Sequence, residues 1–127
     1  MSDGQKFLVC ARCGNMIGFI DNKGASLTCC GEKMKELEPN TAEASIEKHL
    51  PAVTVSGGSL NIQVGSTPHP MESGHHIGFV YVETARGGQR KSLKAGEEPK
   101  LVFSFSDDKP VAAYAYCNLH GLWKTEI

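Results

Sequence analysis

The sequence predicts a mainly β protein in two parts: a small cysteine-bound metal segment, then a seven-stranded immunoglobulin-like β-sandwich. Three observations point there. Four of the five cysteines fall within the first 30 positions as C-x2-C-x15-C-C. From residue 51 onward, seven short strand-like runs recur within about 75 residues, separated by turn signals. Between the two regions, Glu38-Pro39-Asn40-Thr41 interrupts both patterns and reads as a linker. The expected division is 1–38 for the cysteine segment, 39–48 for a linker with a short helix, and 49–127 for the sandwich.

The 127 residues, 40% of them hydrophobic, suffice for one ordinary domain or two small ones. A segment much shorter than about 60 residues buries too little surface to fold without a metal or disulfides. Residues 5–10 alternate, with Phe7 and Val9 on one side, and lead into Cys10-Ala11-Arg12-Cys13-Gly14-Asn15. Gly14 permits a backbone conformation that aims N–H groups at sulfur. Met16 to Ile20 reads as a strand and Asp21-Asn22-Lys23-Gly24 as a turn. Ser26-Leu27-Thr28 then returns to Cys29-Cys30-Gly31, so both cysteine pairs are expected on one hairpin.

Disulfides are disfavoured here, because the cysteine count is odd and a Cys29–Cys30 bond would be strained. Four thiolates around one ion account for Cys10, Cys13, Cys29 and Cys30 at once. Such an S4 site suits zinc or iron. The adjacent pair should distort the tetrahedron. With all four positions filled by protein, the centre can fold the segment or pass electrons but cannot bind substrate.

Asn40 with Glu43 three residues on resembles a capping box for a short helix running through about Ile46. Pro51 ends any helix and begins extended chain. Strands are expected near 52–56, 60–64, 77–84, 89–93, 101–105, 111–117 and 122–125. Net charge is −1 with no basic block, which does not favour nucleic acid or an anionic membrane as partner. The first residues lack a basic stretch followed by an apolar one, so no signal peptide is expected. No apolar run approaches the roughly 20 residues that span a bilayer. A soluble, cytoplasmic protein is the expectation.

The run Val111, Ala113, Ala115, Cys117 alternates as one face of a buried strand and opens into Cys117-Asn118-Leu119-His120. Thiol and imidazole at that spacing, where a strand breaks into a loop, are held on one side and reachable on the other. In the 65–75 loop, Pro68 and Pro70 flank His69 and restrict its backbone, and His75 follows six positions later. His49, His69, His75 and His120 all fall at strand ends. His76 adjoins His75 but points the other way and reads as a non-ligand. Four nitrogens and one sulfur fill five positions of an octahedron and leave one for chemistry; the mixture suits iron, copper or zinc.

The motifs C-x-x-C-G-N and C-C-G, then E-K-H, then G-S-x-x-H-P-M-E-x-x-H, then Y-C-N-L-H-G-x-W run in order along essentially the entire chain. This set resembles desulfoferrodoxin, the two-iron class of superoxide reductase. The resemblance implies a desulforedoxin/rubredoxin-like domain with Fe(Cys)4 at Cys10, Cys13, Cys29 and Cys30. It implies an immunoglobulin-like domain with Fe(His)4(Cys), its nitrogens from His49, His69, His75 and His120 in a plane and Cys117 axial. It further implies one-electron reduction of superoxide to hydrogen peroxide without dioxygen, rubredoxin or an NAD(P)H-linked reductase as electron donor, and a homodimer.

Within that picture, the N–H groups of Asn118, Leu119 and His120 lie close behind the sulfur, where hydrogen bonds tune the potential. Lys48 attracts superoxide and orders a proton-donating water, or is an ordinary surface lysine. Glu47 closes over the sixth position after turnover, or is a helix-end carboxylate. Trp123 reads as core. Two other functions compete. One is an electron-transfer or zinc-ribbon-like module joined to a binding sandwich, which would be zinc-filled and colourless. The other is a superoxide dismutase, which would release dioxygen.

Overall fold

The structure, a computed structural model, describes residues 4–127; residues 1–3, the start of the stretch read as carrying no signal peptide, lie outside the described residues. The chain divides into two compact units, Met1–Glu38 and Pro39–Ile127. The expected linker 39–48 thus belongs with the second unit.

In the first unit, β1 (Phe7–Val9), β2 (Met16–Gly18) and β5 (Lys35–Glu36) form an antiparallel sheet in the order β2-β1-β5. A separate two-stranded ribbon joins β3 (Thr28–Cys29) to β4 (Glu32–Lys33). The cysteine pairs therefore ride on two hairpins, not on one. The cause is local: Cys30 (φ 53) and Gly31 (φ 75) are both left-handed, the geometry of a two-residue type I′ turn. That turn folds Thr28–Cys29 onto Glu32–Lys33 instead of returning it to β2. Strand β2 stops at Gly18, and Ile20 beyond it is fully exposed. Among the described hydrophobic residues of this unit only Phe7, Cys10 and Met34 are buried. So thin a core is what a metal-dependent fold of this size should show.

The second unit contains α1 (Ile46–His49), β6 (Pro51–Ser56), β7 (Ser59–Val64), β8 (Ile77–Thr84), β9 (Gly87–Ser92), β10 (Lys100–Ser104), β11 (Pro110–Cys117) and β12 (Gly121–Glu126). Its seven strands, counted among the described residues, form sheets ordered β10-β7-β6 and β12-β11-β8-β9. This is the expected sandwich. Inward residues alternate along each strand: Leu60, Ile62 and Val64 on β7, Phe103 on β10, Val80 and Val82 on β8, and Ala113, Ala115 and Cys117 on β11. Val111 departs from the expected face. It sits at the register shift between Pro110 and Ala112 and is 39% exposed. A second shift near Gly78 pairs Cys117 with Ile77, so both Ile77 and Val80 turn inward.

The helix also differs from its sequence reading. Asn40 is left-handed (φ 63) and caps nothing. Its side chain instead grips the edge of β12, accepting from Lys124 N at 2.8 Å and donating to Lys124 O at 3.1 Å. The capping box fails because the asparagine amide finds a backbone pair to mimic, and the single helical turn begins only after Ser45. On the opposite side of the sandwich, Gln89 and Lys91 of β9 donate to the carbonyls of Ser104 and Val102 on edge strand β10. Those carbonyls are thereby withheld from outside partners.

Candidate metal centres

The four N-terminal sulfurs converge. Backbone N–H groups of Arg12 and Cys13 each point at Cys10 Sγ at 3.4 Å, and Asn15 N points at Cys13 Sγ at 3.4 Å. Gly14 (φ 80) closes this turn through its N–H to Cys10 O. Cys13 and Cys29 sulfurs are 3.6 Å apart, those of Cys29 and Cys30 4.0 Å, and no disulfide forms. A tetrahedron with metal–sulfur bonds of about 2.3 Å has edges of about 3.8 Å. The N–H donors of Cys13 and Arg12 lower the Cys10 thiol to about 6. The neighbouring sulfurs of Cys13, Cys10 and Cys29 push Cys30 up to about 12. Four such groups cannot all ionise at neutral pH unless a cation sits among them, so the donor set fits a metal.

The second constellation gathers residues far apart in the chain. His49 is the last residue of α1, and its Nδ1 donates to Ser45 O at 2.7 Å. His69 Nδ1 donates to Pro70 O at 2.7 Å. A carbonyl only accepts, so both rings carry their proton on Nδ1 and leave the Nε2 lone pair free. Those two Nε2 atoms stand 3.1 Å apart, and His49 Nε2 is 3.2 Å from His120 Nδ1. The Nε2 lone pairs of His49 and His69 repel at this distance unless positive charge lies between them. Four nitrogens in a square around a metal at about 2.1 Å would be about 3.0 Å apart along its edges.

His75 Nε2 is buried with no hydrogen-bond partner. Fully buried Cys117 reaches the same point from the core strand β11, its Sγ 3.8 Å from His120 Nδ1. The donor atoms of His49, His69, His75 and Cys117 lie within 4.8 Å of one another. Ring centroids give the order: His49–His69 4.6 Å, His69–His75 4.7 Å, His75–His120 5.1 Å and His120–His49 4.9 Å, while His49–His75 is 6.4 Å across. Neighbouring rings meet edge to face. Burial lowers His69 to about 4 and lowers His49 also, so both rings are neutral donors at pH 7. The residues fit a metal ion with mixed imidazole and thiolate ligands.

All five residues expected at the second site are brought together. His76 stands outside that group. Its N–H donates to Asn118 Oδ1 at 2.9 Å and its carbonyl accepts from Asn118 N at 3.2 Å. The Asn118 N–H is therefore spent on the neighbouring loop and not on the sulfur, contrary to the sequence reading. Asn118 Nδ2 also donates to Gly74 O at 3.1 Å, so one side chain grips the backbone on both sides of His75. Glu47 and Lys48 stand exposed on α1, two positions and one position before His49.

Two contributors were not evident from sequence. Gly65 (φ 83) ends β7 where the carbonyls of Lys48 and Thr67 crowd its α-carbon. Around it, Gly65 N donates to Leu50 O, and Thr67 N and Ser66 Oγ donate to Glu47 O. These bonds tie the helix bearing His49 to the loop bearing His69. Trp123 is buried as expected, but it also stacks on His49 and donates Nε1–H to His120 O at 3.1 Å. The G-x-W spacing after His120 was the available signal.

Comparison with known proteins follows the same lines. The desulfoferrodoxin family model matches residues 41–126. A desulfoferrodoxin homologue of Archaeoglobus fulgidus is 38% identical over 125 residues, covering 98% of this chain and 99% of the relative. The desulfoferrodoxin of Nitratidesulfovibrio vulgaris is 38% identical over 117 residues, 92% of each chain. Among solved structures, the superoxide reductase from Treponema pallidum superposes with a TM-score of 0.78 at 34% identity, covering 94% of this chain and 98% of its own. The superoxide reductase (1Fe-SOR) from Giardia intestinalis superposes with a TM-score of 0.55 at 31% identity, covering 64% of this chain and 97% of its own.

Proposed function

The chain belongs to the desulfoferrodoxin family, and from that premise we propose that it is a superoxide reductase acting at the five-donor centre of its second unit. The carrying observation is the convergence of the unprotonated Nε2 atoms of His49 and His69 at 3.1 Å, with His120 Nδ1 3.2 Å from His49 Nε2, beside a buried cysteine sulfur. Such a cluster is unstable without a cation. The protein carries two irons, one at Cys10, Cys13, Cys29 and Cys30, the other at His49, His69, His75, His120 and Cys117.

An iron held by His49, His69, His75, His120 and Cys117 would supply the one electron that, with two protons, takes superoxide to hydrogen peroxide without forming dioxygen. The chain's own residues set the conditions. Imidazole ligands bring no negative charge, so a metal ion held by them would keep a net positive charge that favours an anionic substrate. Cys117 would supply the sulfur ligand; it sits in the dry core, where a thiolate's charge would be poorly screened and would add electron density to a bound metal. The hydrogen bonds of His49 to Ser45 and of His69 to Pro70 fix each ring's tautomer and tilt.

Lys48 draws the anion in and orders a water that donates a proton. Glu47 covers the substrate side after turnover. What supports both roles is their exposure on the one helical turn that ends in His49. The first unit, residues 1–38, is an independent iron domain, and the second is the catalytic one, with 39–48 as the segment of it that leads into 49–127. Rubredoxin or an NAD(P)H-linked reductase returns the electron. The protein works in the cytoplasm as a homodimer; no helix of the described residues is long and apolar enough to cross a membrane.

The test is to feed superoxide pulses to the purified, reduced protein while measuring peroxide, dioxygen and metal content. Peroxide without dioxygen and two irons per chain are expected. A colourless, zinc-filled protein that consumes no superoxide would overturn the proposal in favour of a binding module, and dioxygen release would make it a dismutase.

A further inference from the structure

We propose that Trp123 is a positioning residue, a strut that fixes His49 and His120 relative to each other at adjacent corners of the nitrogen square. The inference rests on reading that square as a metal centre. It begins in the strand pattern. Trp123 lies on β12 opposite Ala115 of β11, two residues past the Cys117–Gly121 pair. Ala113 and Ala115 are small and inward, which leaves room for an indole on that face, and Trp123 is 2% exposed.

Filling that space requires only bulk. The contacts are more specific. The indole lies nearly parallel to the His49 ring, with centroids 4.9 Å apart and planes at 30°. Its Nε1–H donates to the carbonyl of His120 at 3.1 Å. A buried indole needs some acceptor, and here the acceptor is the backbone of a residue in the square.

Each of the two histidines has a freedom that this ring removes. His49 is anchored at Nδ1 by Ser45 O, which leaves rotation about that hydrogen bond; the indole face blocks it. His120 ends an exposed turn and is followed by left-handed Gly121 (φ 78), so its peptide can reorient cheaply unless its carbonyl is held. The two donor nitrogens stand 3.2 Å apart although 71 residues separate them. One rigid side chain touching both keeps that spacing. Outer partners of metal-binding histidines typically change metal affinity by roughly ten- to a hundredfold when removed.

The experiment uses the full chain with Cys13→Ser in every arm, so that only the histidine centre gives a four-nitrogen, one-sulfur cobalt spectrum. Apo-protein is titrated with cobalt(II) against a chelator, and binding is read at the thiolate-to-cobalt absorption of Cys117. Trp123→Phe retains a ring against His49 and loses the N–H. It is expected to bind cobalt about tenfold more weakly and to shift the absorption band, with circular dichroism unchanged. Trp123→Leu is expected to lose roughly a hundredfold.

A Trp123→Phe variant with the parent's affinity and band would overturn the strut, whatever becomes of Trp123→Leu. The parent supplies a check that needs no substitution at this position. Trp123 is the sole tryptophan, so its fluorescence should be strongly quenched as the centre fills. Unaltered fluorescence at full occupancy overturns the proposal too. Failure of the underlying reading looks different: the parent itself would bind no cobalt with a thiolate band.

Discussion

Gly65→Ala should disable the histidine centre without touching any of its donors. Gly65 is left-handed, and a methyl group there would meet Thr67 O and, at 2.6 Å, Lys48 O. An ordinary carbon–oxygen contact is about 3.3 Å, so the Lys48 carbonyl must retreat by roughly 0.7 Å. Lys48 precedes His49 directly, and Thr67 lies two residues before His69. The left-handed backbone alone costs alanine about 1–2 kcal/mol, and overpacking adds roughly 1–3 kcal/mol. A combined loss of about 3 kcal/mol lowers the melting temperature of a unit this size by roughly 10–20 °C. A displacement approaching 1 Å costs activity on the order of a hundredfold. Gly57→Ala is the control, since Gly57 is also left-handed (φ 58) but a methyl there meets nothing within 4 Å. Scanning calorimetry of both variants, with iron content and peroxide yield, separates the two contributions. If Gly65→Ala melts with Gly57→Ala and keeps full iron, the crowding at Gly65 does not matter to the site.

Cys117→Ser replaces an ionised sulfur by a poorly ionised hydroxyl; the thiolate-to-iron absorption of the histidine centre should vanish and turnover collapse, as stopped-flow spectra would show. Cys13→Ser should lose one iron per chain by metal analysis while the Cys117-dependent absorption persists. Lys48→Ala should slow the superoxide encounter about five- to tenfold at low salt and flatten its ionic-strength dependence, whereas Glu47→Ala should not slow it; pulse radiolysis across a salt series decides. In the metal-free protein, His69 and His49 titrate below their unfolded value of 6.5, His69 at about 4. The unfolded chain then binds more protons between those values, so apo stability should be fully present above pH 6.5 and fall as the pH drops toward 4. Urea unfolding of apo-protein over that window would show the slope.

The sandwich was legible because its strands alternate over five to eight residues and its turns carry Gly, Pro and Asp. Strands β4 and β5 were not, since two-residue stretches of Glu and Lys on either side of Met34 carry no period at all. The helix position was misread because Asn40 has two uses for the same amide, and only the fold shows that the β12 edge claims it. At the second site the donor residues could be named from motif and spacing. Their supports could not. Gly65 matters through carbonyls contributed by Lys48 and Thr67, and Asn118 through the loop around His75, both of which are contacts between distant segments. Trp123 was readable as buried, but which face of which ring it covers depends on the register of β12 against β11.

The spacing of the donors along the chain also orders events during synthesis. The four cysteines of the first unit are complete once residue 30 has emerged, and the contacts of that unit are local. The histidine centre draws on α1, the loops flanking His69 and His75, and the β11–β12 turn, so it waits for His120. Ninety residues separate Cys30 from His120. At translation rates of about 5–20 residues per second, that is a lag of roughly 5–20 s, and through about its last half, once His75 has been made, His49, His69 and His75 are all present without the completed Cys117–His120 turn. A nascent chain in that interval presents three imidazoles to whatever divalent ion is at hand. The identity of the metal in the finished protein is thus decided partly by the ion supply during translation and partly by how readily a misplaced ion leaves once β11 and β12 dock.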